Sequence, residues 1–257
     1  MILRRLSISL RKQDWFTVVI ETLIVVFGVF MGLQVNNWNG SRADRLLGED
    51  YVERLISDLE RDLGSANALT NYYDEVQQSI LDADRLLASP DPNPQALVVA
   101  AYRASEFTYN PKRRATWDQI VSSGHLGLLP GDAIIGELSD YYRFQAADQD
   151  TISRLQDTPY REIIRSLIPL TVQLAIREGC SDLVAEDGSF VGFVVQCQLD
   201  INHDLLKETA RILMASEALR EPLRYQYSKV ASVQNNNGGD FLILENLLST
   251  LQEAAGP

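Results

Sequence analysis

An apolar run near the start of the chain constrains the fold more than any other feature. Residues 15–35 read WFTVVIETLIVVFGVFMGLQV and contain one ionisable side chain, Glu21. At about 1.5 Å per residue, a helix over this run spans about 30 Å, the thickness of the hydrocarbon core of a bilayer. Trp15 and Trp38 flank the run, where indole rings favour the headgroup region. The pattern therefore predicts a transmembrane helix over residues 15–38, called the predicted anchor below.

Two other kinds of segment have similar composition. A cleaved signal peptide has a shorter apolar region and small residues at its cleavage site, and residues 34–38, QVNNW, offer no such site. A core helix this apolar is unusual so close to the N-terminus. The run is therefore interpreted as an uncleaved signal anchor.

One face of the predicted anchor collects its polar and small residues. Thr17, Glu21, Gly28 and Gly32 recur at helical spacing, and the two glycines form a G-x-x-x-G motif that permits close approach of a second helix. A carboxylate in a membrane usually faces a partner or water, although Glu21 near the end of the run can also be protonated or extend to the interface. A membrane partner is therefore predicted on this face, either a second copy of the chain or another membrane protein.

The charges of the chain predict its orientation. Four basic residues precede the apolar run, namely Arg4, Arg5, Arg11 and Lys12. This small basic excess predicts that residues 1–14 are cytoplasmic and that residues 42–257 form a domain outside the cytoplasm. The chain has a formal net charge of −12, so nucleic acid is not an expected partner.

The two cysteines, Cys180 and Cys197, are predicted to form a disulfide if the domain lies outside the cytoplasm. The alternative is a pair of buried free thiols. The residues between them, Leu183–Ala185 and Phe190–Val195, suit either a small hairpin or an irregular disulfide-closed loop.

The rest of the sequence predicts a mostly α fold, a bundle with long helices. Apolar residues three or four apart from Val52 to Leu87 predict a long helix, with Asp62 as the one break in the stripe and Gly64-Ser65 as the expected kink. The turn-like residues 36–40 are expected to precede it, and the run Asn235–Gly239 is expected to break the last helix. Further helices are predicted over residues 95–105, 114–123, from 132 to before Pro159, 160–177 with a kink at Pro169, 202–215, 223–233 and 241–253.

Two blocks resemble a known family. One combines Glu21-x-x-Ile24-Val25-Val26-x-Gly28 with LQVNNWN at residues 33–39; the other is TWDQIVSSG at residues 116–124, followed by Leu126, Leu129, Leu138 and Tyr141-Tyr142. They are similar to the anchor and the S-S-G-x-L block of a bacterial family of single-pass membrane proteins of unknown function. The resemblance implies a bacterial inner-membrane protein with a helical envelope domain, and it brings no activity, cofactor or catalytic residue.

Candidate catalytic and metal-binding residues are sparse. Asp118, Ser123 and His125 invite a hydrolase interpretation, but an adjacent serine and histidine at a helix end do not have the spacing of a triad. Trp117, Ser122, Ser123 and Gly124 are instead predicted to form a structural helix cap. A second set, Asp200, His203, Asp204 and Glu208, is better interpreted as a helix N-terminus than as a metal site. We therefore expect neither an enzyme nor a cofactor or metal site.

Two functions remain from the sequence. The first is a non-catalytic envelope protein that binds a protein partner, in an accessory or scaffold role. The second is a helical domain that binds a small molecule near residues 117–142 and signals through a partner membrane protein.

Overall fold

The computed structural model describes residues 15–186, 188–195 and 197–255, without the side chains of residues 15–18 and 145–148. The predicted cytoplasmic segment 1–14 and the side chains of Trp15 and Thr17 lie outside this description. The chain divides into two compact units, Met1–Tyr51 and Val52–Pro257, called the N-terminal and C-terminal units below. The predicted mostly α fold is confirmed.

Helix α1, Trp15–Ala88, corrects one sequence expectation, because it runs through residues 36–40, where a turn is expected. The helix also includes Gly64-Ser65, where the expected kink stays a prediction. Asn and Gly residues destabilise a helix by at most about 1 kcal/mol each. The helical segments on both sides can therefore keep these residues helical. Ser65 is also buried, and its hydroxyl lies 3.1 Å from the Ser189 hydroxyl.

The remaining elements are seven further helices of varied length, two 3₁₀ turns and one hairpin within the described residues. The helices are α2 Pro94–Arg103, α3 Ala115–Ser122, α4 Asp132–Ser153, α5 Pro159–Leu167, α6 Leu170–Gly179, α7 His203–Ala215 and α8 Arg220–Ala255, with 3₁₀ turns at His125–Leu128 and Glu217–Leu219. Local chemistry explains several boundaries: Asn93, Thr158 and Asn202 cap helices with their side chains, and Pro169 separates α5 from α6.

An apolar cluster forms part of the core of the C-terminal unit, and further buried apolar residues of α1, α3, α4 and α8 lie outside it. The α1 residues of the cluster, Leu69 to Leu87, share it with side chains of α2, α5, α6, α7 and α8. Helix α2 packs on α7, α4 packs on α8, and α5 contacts both α7 and α8. The Tyr73 hydroxyl donates a 2.8 Å hydrogen bond to the carbonyl oxygen of Thr108, which ties the connector after α2 to α1.

The segment between the cysteines forms an antiparallel hairpin of β1, Asp182–Val184, and β2, Phe190–Phe193. Asp182 pairs with Phe193, and the register shifts between Leu183 and Val184. The Glu75 carboxylate accepts a 2.9 Å hydrogen bond from the backbone N–H of Phe193, so α1 supports the hairpin edge. The hairpin alternative of the sequence analysis is therefore the observed one.

Helix α8 corrects the expected break at Asn235–Gly239, because it continues without interruption to Ala255. Tertiary contacts on both sides explain this. Gln234 donates a 2.5 Å hydrogen bond to Asp74, and Asp240 pairs with Lys112 at 3.0 Å. The packing against α4 and these polar contacts outweigh the low helix propensity of the run.

Candidate functional site

The predicted partner face lies in the N-terminal unit. Helix α1 is the one described helix that is long and apolar enough to cross a membrane, and its apolar window is unburied. At 3.6 residues per turn, Glu21, Gly28 and Gly32 lie within about 40° of one another around the helix axis. All three are exposed, and no atom lies within 4 Å of a Cβ placed on either glycine. The face is therefore continuous and free of contacts among the described residues.

Trp38 marks the other end of the apolar run. Its side chain is exposed, and the guanidinium carbon of Arg42 lies 6.0 Å from the centre of its ring. An indole and an arginine one helical turn apart suit the headgroup region of a membrane. The indole has an apolar body and a polar N–H, and the guanidinium can pair with anionic lipid phosphates.

Helix α3 holds the predicted structural motif. Trp117 is buried and stacks on Tyr142, with ring centres 5.5 Å apart. The Ser122 hydroxyl donates a 3.1 Å hydrogen bond to the carbonyl oxygen of Gln119. Ser123 is the exposed C-cap residue, and Gly124 follows with φ of 71°, the left-handed conformation predicted for it. Each residue therefore occupies a position typical of a helix end.

Of the candidate hydrolase residues, Asp118 and Ser123 are exposed, and the Asp118 carboxylate is engaged by Arg114, at 2.9 Å. Of the candidate metal ligands, Glu208 pairs with Arg211 at 2.6 Å. Among the described residues, no group of three or more His, Cys, Asp and Glu side chains can hold a metal ion.

Asp62 carries a buried carboxylate, whereas the sequence indicates this residue only as a break in an apolar stripe. Asp62 is 3% exposed and accepts hydrogen bonds from the backbone N–H of Arg113 at 3.0 Å and from the Tyr141 hydroxyl at 3.0 Å. The Arg113 guanidinium also lies 3.3 Å away. Burial raises the pKa of Asp62, and these hydrogen bonds oppose that shift. The network fixes the connector before α3 on helix α1.

The space beside this network is small. Asp62, Tyr141, Lys112 and Asn237 line a cavity of about 40 Å³, enough for a few water molecules. The Lys112–Asp240 ion pair closes it at 3.0 Å, and the Lys112 amine lies 4.3 Å from the centre of the Tyr141 ring. This is the region where the sequence places a small-molecule site. Asp62 and Lys112 are already paired there, whereas the buried Nδ2 atom of Asn237 has no hydrogen-bond partner among the described residues.

A larger cavity, of about 230 Å³, lies beside the disulfide. The bridge between Cys180 and Cys197 is confirmed, with the two Cα atoms 4.7 Å apart. The cavity is bounded by the end of α2, the end of α6 and the hairpin, and its lining residues are Tyr102, Arg103, Glu106, Ile176, Arg177, Cys180, Ser181, Asp182 and Phe193. We call it the charged cavity.

Arginines dominate one side of the charged cavity. The Arg103 guanidinium donates to the carbonyl oxygens of Cys180 and Val194, at 3.3 and 2.8 Å, and lies over the Phe193 ring. Its Nε atom is buried and has no acceptor among the described residues. The Nε atom of Arg177 donates a 3.2 Å hydrogen bond to the Tyr102 hydroxyl. Behind them Arg165 pairs with Glu106 at 2.8 Å.

Asp182 faces these arginines from the hairpin. It is half-buried, and within the described residues its carboxylate has no hydrogen bond and no ion-pair partner. Burial first, and then the negative charge of Glu106, raises the pKa of Asp182 to about 6, while Arg103, Arg177 and Arg165 oppose the shift. A carboxylate desolvated without a partner is typical of a functional site.

The sequence does not predict the charged cavity. Arg103 lies far from Arg177 and Asp182 in the chain, and nothing in the spacing indicates that the three side chains line one cavity. The one available signal is the position of Asp182 two residues after Cys180, inside the disulfide loop.

Comparison with known proteins finds no matching family model, no matching curated protein and no matching solved structure. The resemblance of the anchor block and of residues 116–124 to a membrane-protein family therefore stays a prediction.

Proposed function

We propose that this chain is a membrane-anchored, non-catalytic protein of the bacterial cell envelope that binds a protein partner through its anchor helix. The observation that carries the proposal is the exposed face of α1 with Glu21, Gly28 and Gly32 on one side of an unburied apolar run. A buried core helix is not a good alternative, because side chains on every side of this run are exposed.

Energetics favour protein over lipid on this face. A charged side chain well inside a bilayer costs on the order of 3 kcal/mol on insertion scales, and glycines leave a shallow groove that lipid chains fill poorly. One neighbouring helix relieves both defects, because it can supply a hydrogen-bond donor to Glu21 and pack closely against Gly28 and Gly32. The neighbour is either a second copy of the chain or another membrane protein.

The proposal includes an orientation. Basic residues precede the apolar run, and the disulfide between Cys180 and Cys197 suits an oxidising compartment. Residues 1–14 are accordingly assigned to the cytoplasm and residues 42–257 to the periplasm or cell exterior. The helical domain then has a scaffold or accessory role at the outer side of the inner membrane.

Cysteine crosslinking in native membranes tests the partner face. We expect Gly28→Cys to crosslink to a protein, whereas Phe30→Cys, about 180° away around the helix if Glu21 marks the partner face, should not. Glu21→Leu should keep the chain in the membrane but abolish the Gly28→Cys crosslink, and Gly32→Ile should do the same by blocking close approach. Equal crosslinking from both faces, or from Phe30→Cys alone, would contradict the proposal.

A second candidate function is small-molecule binding by the helical domain, with signalling through the membrane partner. The charged cavity favours it, because a cavity of about 230 Å³ with unpaired charged groups is more than packing requires. The location differs from the sequence expectation near residues 117–142, where Trp117, Tyr141 and Tyr142 contact each other or Asp62.

A further inference from the structure

Unsatisfied groups of both signs line the charged cavity. Among the described residues, Asp182 supplies a carboxylate with no hydrogen bond or ion pair, and Arg103 supplies a guanidinium whose Nε atom has no acceptor. The terminal nitrogens of Arg177 likewise make no hydrogen bond with any described residue. We infer that the cavity binds a free α-amino acid, whose ammonium group pairs with Asp182 and whose carboxylate pairs with Arg177 and Arg103. The inference rests on the second candidate function, ligand binding, and is independent of the anchor's partner.

The gap between the charges argues for a ligand between them. Asp182 is close enough to Arg103 and Arg177 for both to stabilise its ionised form, yet neither reaches ion-pair distance. Here Arg103 is held by the carbonyl oxygens of Cys180 and Val194, and Arg177 by the Tyr102 hydroxyl. The cationic and anionic groups are thus kept apart by the fold.

A zwitterion satisfies this arrangement better than a simple ion. A simple anion pairs with the arginines but leaves Asp182 unpaired and adds a second negative charge beside it. A simple cation pairs with Asp182 but leaves the arginine nitrogens without acceptors. An α-amino acid carries both charges a few bonds apart, so it pairs with the carboxylate and with the arginines at the same time.

Size and lining narrow the ligand further. The volume of about 230 Å³ is below the 300–1,000 Å³ typical of sites for drug-sized ligands, and it suits a molecule the size of an amino acid. Ile176, Phe193 and the Cys180 side of the disulfide supply an apolar wall, which favours an amino acid with an apolar side chain of moderate size. Glu106 is already paired with Arg165, so Asp182 is the carboxylate left for the ligand.

Binding to the purified full-length chain in detergent tests the inference. We expect at least one apolar amino acid from the standard set to raise the melting temperature and to bind with one-to-one stoichiometry in calorimetry. Its N-acetyl derivative, which lacks the ammonium, and its carboxamide, which lacks the carboxylate, should each bind at least about tenfold more weakly. Asp182→Asn and Arg177→Gln should each weaken binding of the free amino acid by a similar factor.

The controls are a matched pair on the surface of α4. Asp140 and Arg143 form an exposed ion pair at 2.8 Å, so Asp140→Asn and Arg143→Gln should leave the affinity unchanged. The inference is overturned if no amino acid binds, if the N-acetyl derivative binds as well as the free amino acid, or if Asp182→Asn binds normally. If a different small molecule binds and its binding is lost in Arg177→Gln, the cavity is a ligand site but the amino-acid assignment is refuted. Crosslinking at Gly28→Cys is expected to be unaffected in every case.

Discussion

At the scale of the residue, backbone conformation separates two glycines that are three positions apart. Gly124 has φ of 71°, whereas Gly127, in the 3₁₀ turn, has no such conformation, and a Cβ at either position would meet no atom within 4 Å. Any difference between alanine substitutions at the two sites therefore comes from the backbone and not from crowding.

We predict that Gly124→Ala lowers the free energy of unfolding by roughly 1 kcal/mol, because alanine is strained in the left-handed region. Gly127→Ala is the control and should change it by much less. Chemical denaturation of the two variants measures this, and equal effects would show that the cap after Trp117 does not depend on a left-handed residue.

The second residue-scale prediction concerns Asp182. Its pKa is raised in the fold to about 6, so the folded state favours the protonated form. Below its unfolded pKa of about 3.9, the carboxyl is protonated in both states and does not change the free energy of unfolding. Above about pH 6 it lowers the free energy of unfolding by its full amount. The groups that face it are Glu106, Arg103, Arg165 and Arg177.

We therefore expect Asp182→Asn to stabilise the ligand-free chain at pH 7.5, by on the order of 1 kcal/mol once solvent screening of this half-buried group is discounted. The gain should shrink as the pH falls from 6 to 4. Melting curves across this range provide the measurement. A loss of stability at pH 7.5 would mean that Asp182 has a stabilising partner. A gain in stability from removing a charged group is typical of a binding site.

At the scale of the element, helix α8 shows tertiary contacts overriding local propensity. Gly238 and Gly239 sit in its middle with nothing within 4 Å of an added Cβ, and Asn237 next to them is buried. The contacts Gln234–Asp74 and Lys112–Asp240 hold the helix on either side of the glycines.

We predict that Gly238→Ala and Gly239→Ala each stabilise the chain by about 0.5–1 kcal/mol, because alanine favours a continuous helix and fits the open space. The expected change in stability is opposite in sign to that of Gly124→Ala. Thermal denaturation measures both changes, and destabilisation by either α8 variant would favour the break at Asn235–Gly239 that the sequence predicts.

At the scale of the whole molecule, the proposed orientation and the disulfide depend on each other. A bridge that closes a loop of 17 residues stabilises by roughly 3 kcal/mol in the chain-entropy model, but only where it can form. If the C-terminal unit were cytoplasmic, Cys180 and Cys197 would be reduced and the hairpin between them less restrained.

We therefore predict that external protease degrades the C-terminal unit in spheroplasts, and that Cys180 and Cys197 react with alkylating reagents only after reduction. Protease treatment followed by blotting for each end of the chain provides the measurement, with a cytoplasmic protein as the control for intact membranes. Thiols that label without reduction, or a domain degraded only after lysis, would reverse the orientation.

Much of this architecture is determined locally. The apolar run around Glu21, the helical periodicity from Val52 to Leu87 and the cap at Gly124 each depend on neighbours a few residues away, so the sequence predicts them directly. The two cysteines belong to the same class, because a chain with only two has one possible intramolecular pairing.

Only the tertiary structure decided the rest. The burial of Asp62 against Arg113, the contacts that keep α8 continuous and the position of Arg103 near Asp182 all depend on residues tens of positions apart. Such contacts follow from how helices pack and where the disulfide holds the hairpin, and neither periodicity nor spacing carries that information. The charged cavity depends on long-range packing, whereas the apolar length of the predicted anchor depends on one continuous stretch of sequence.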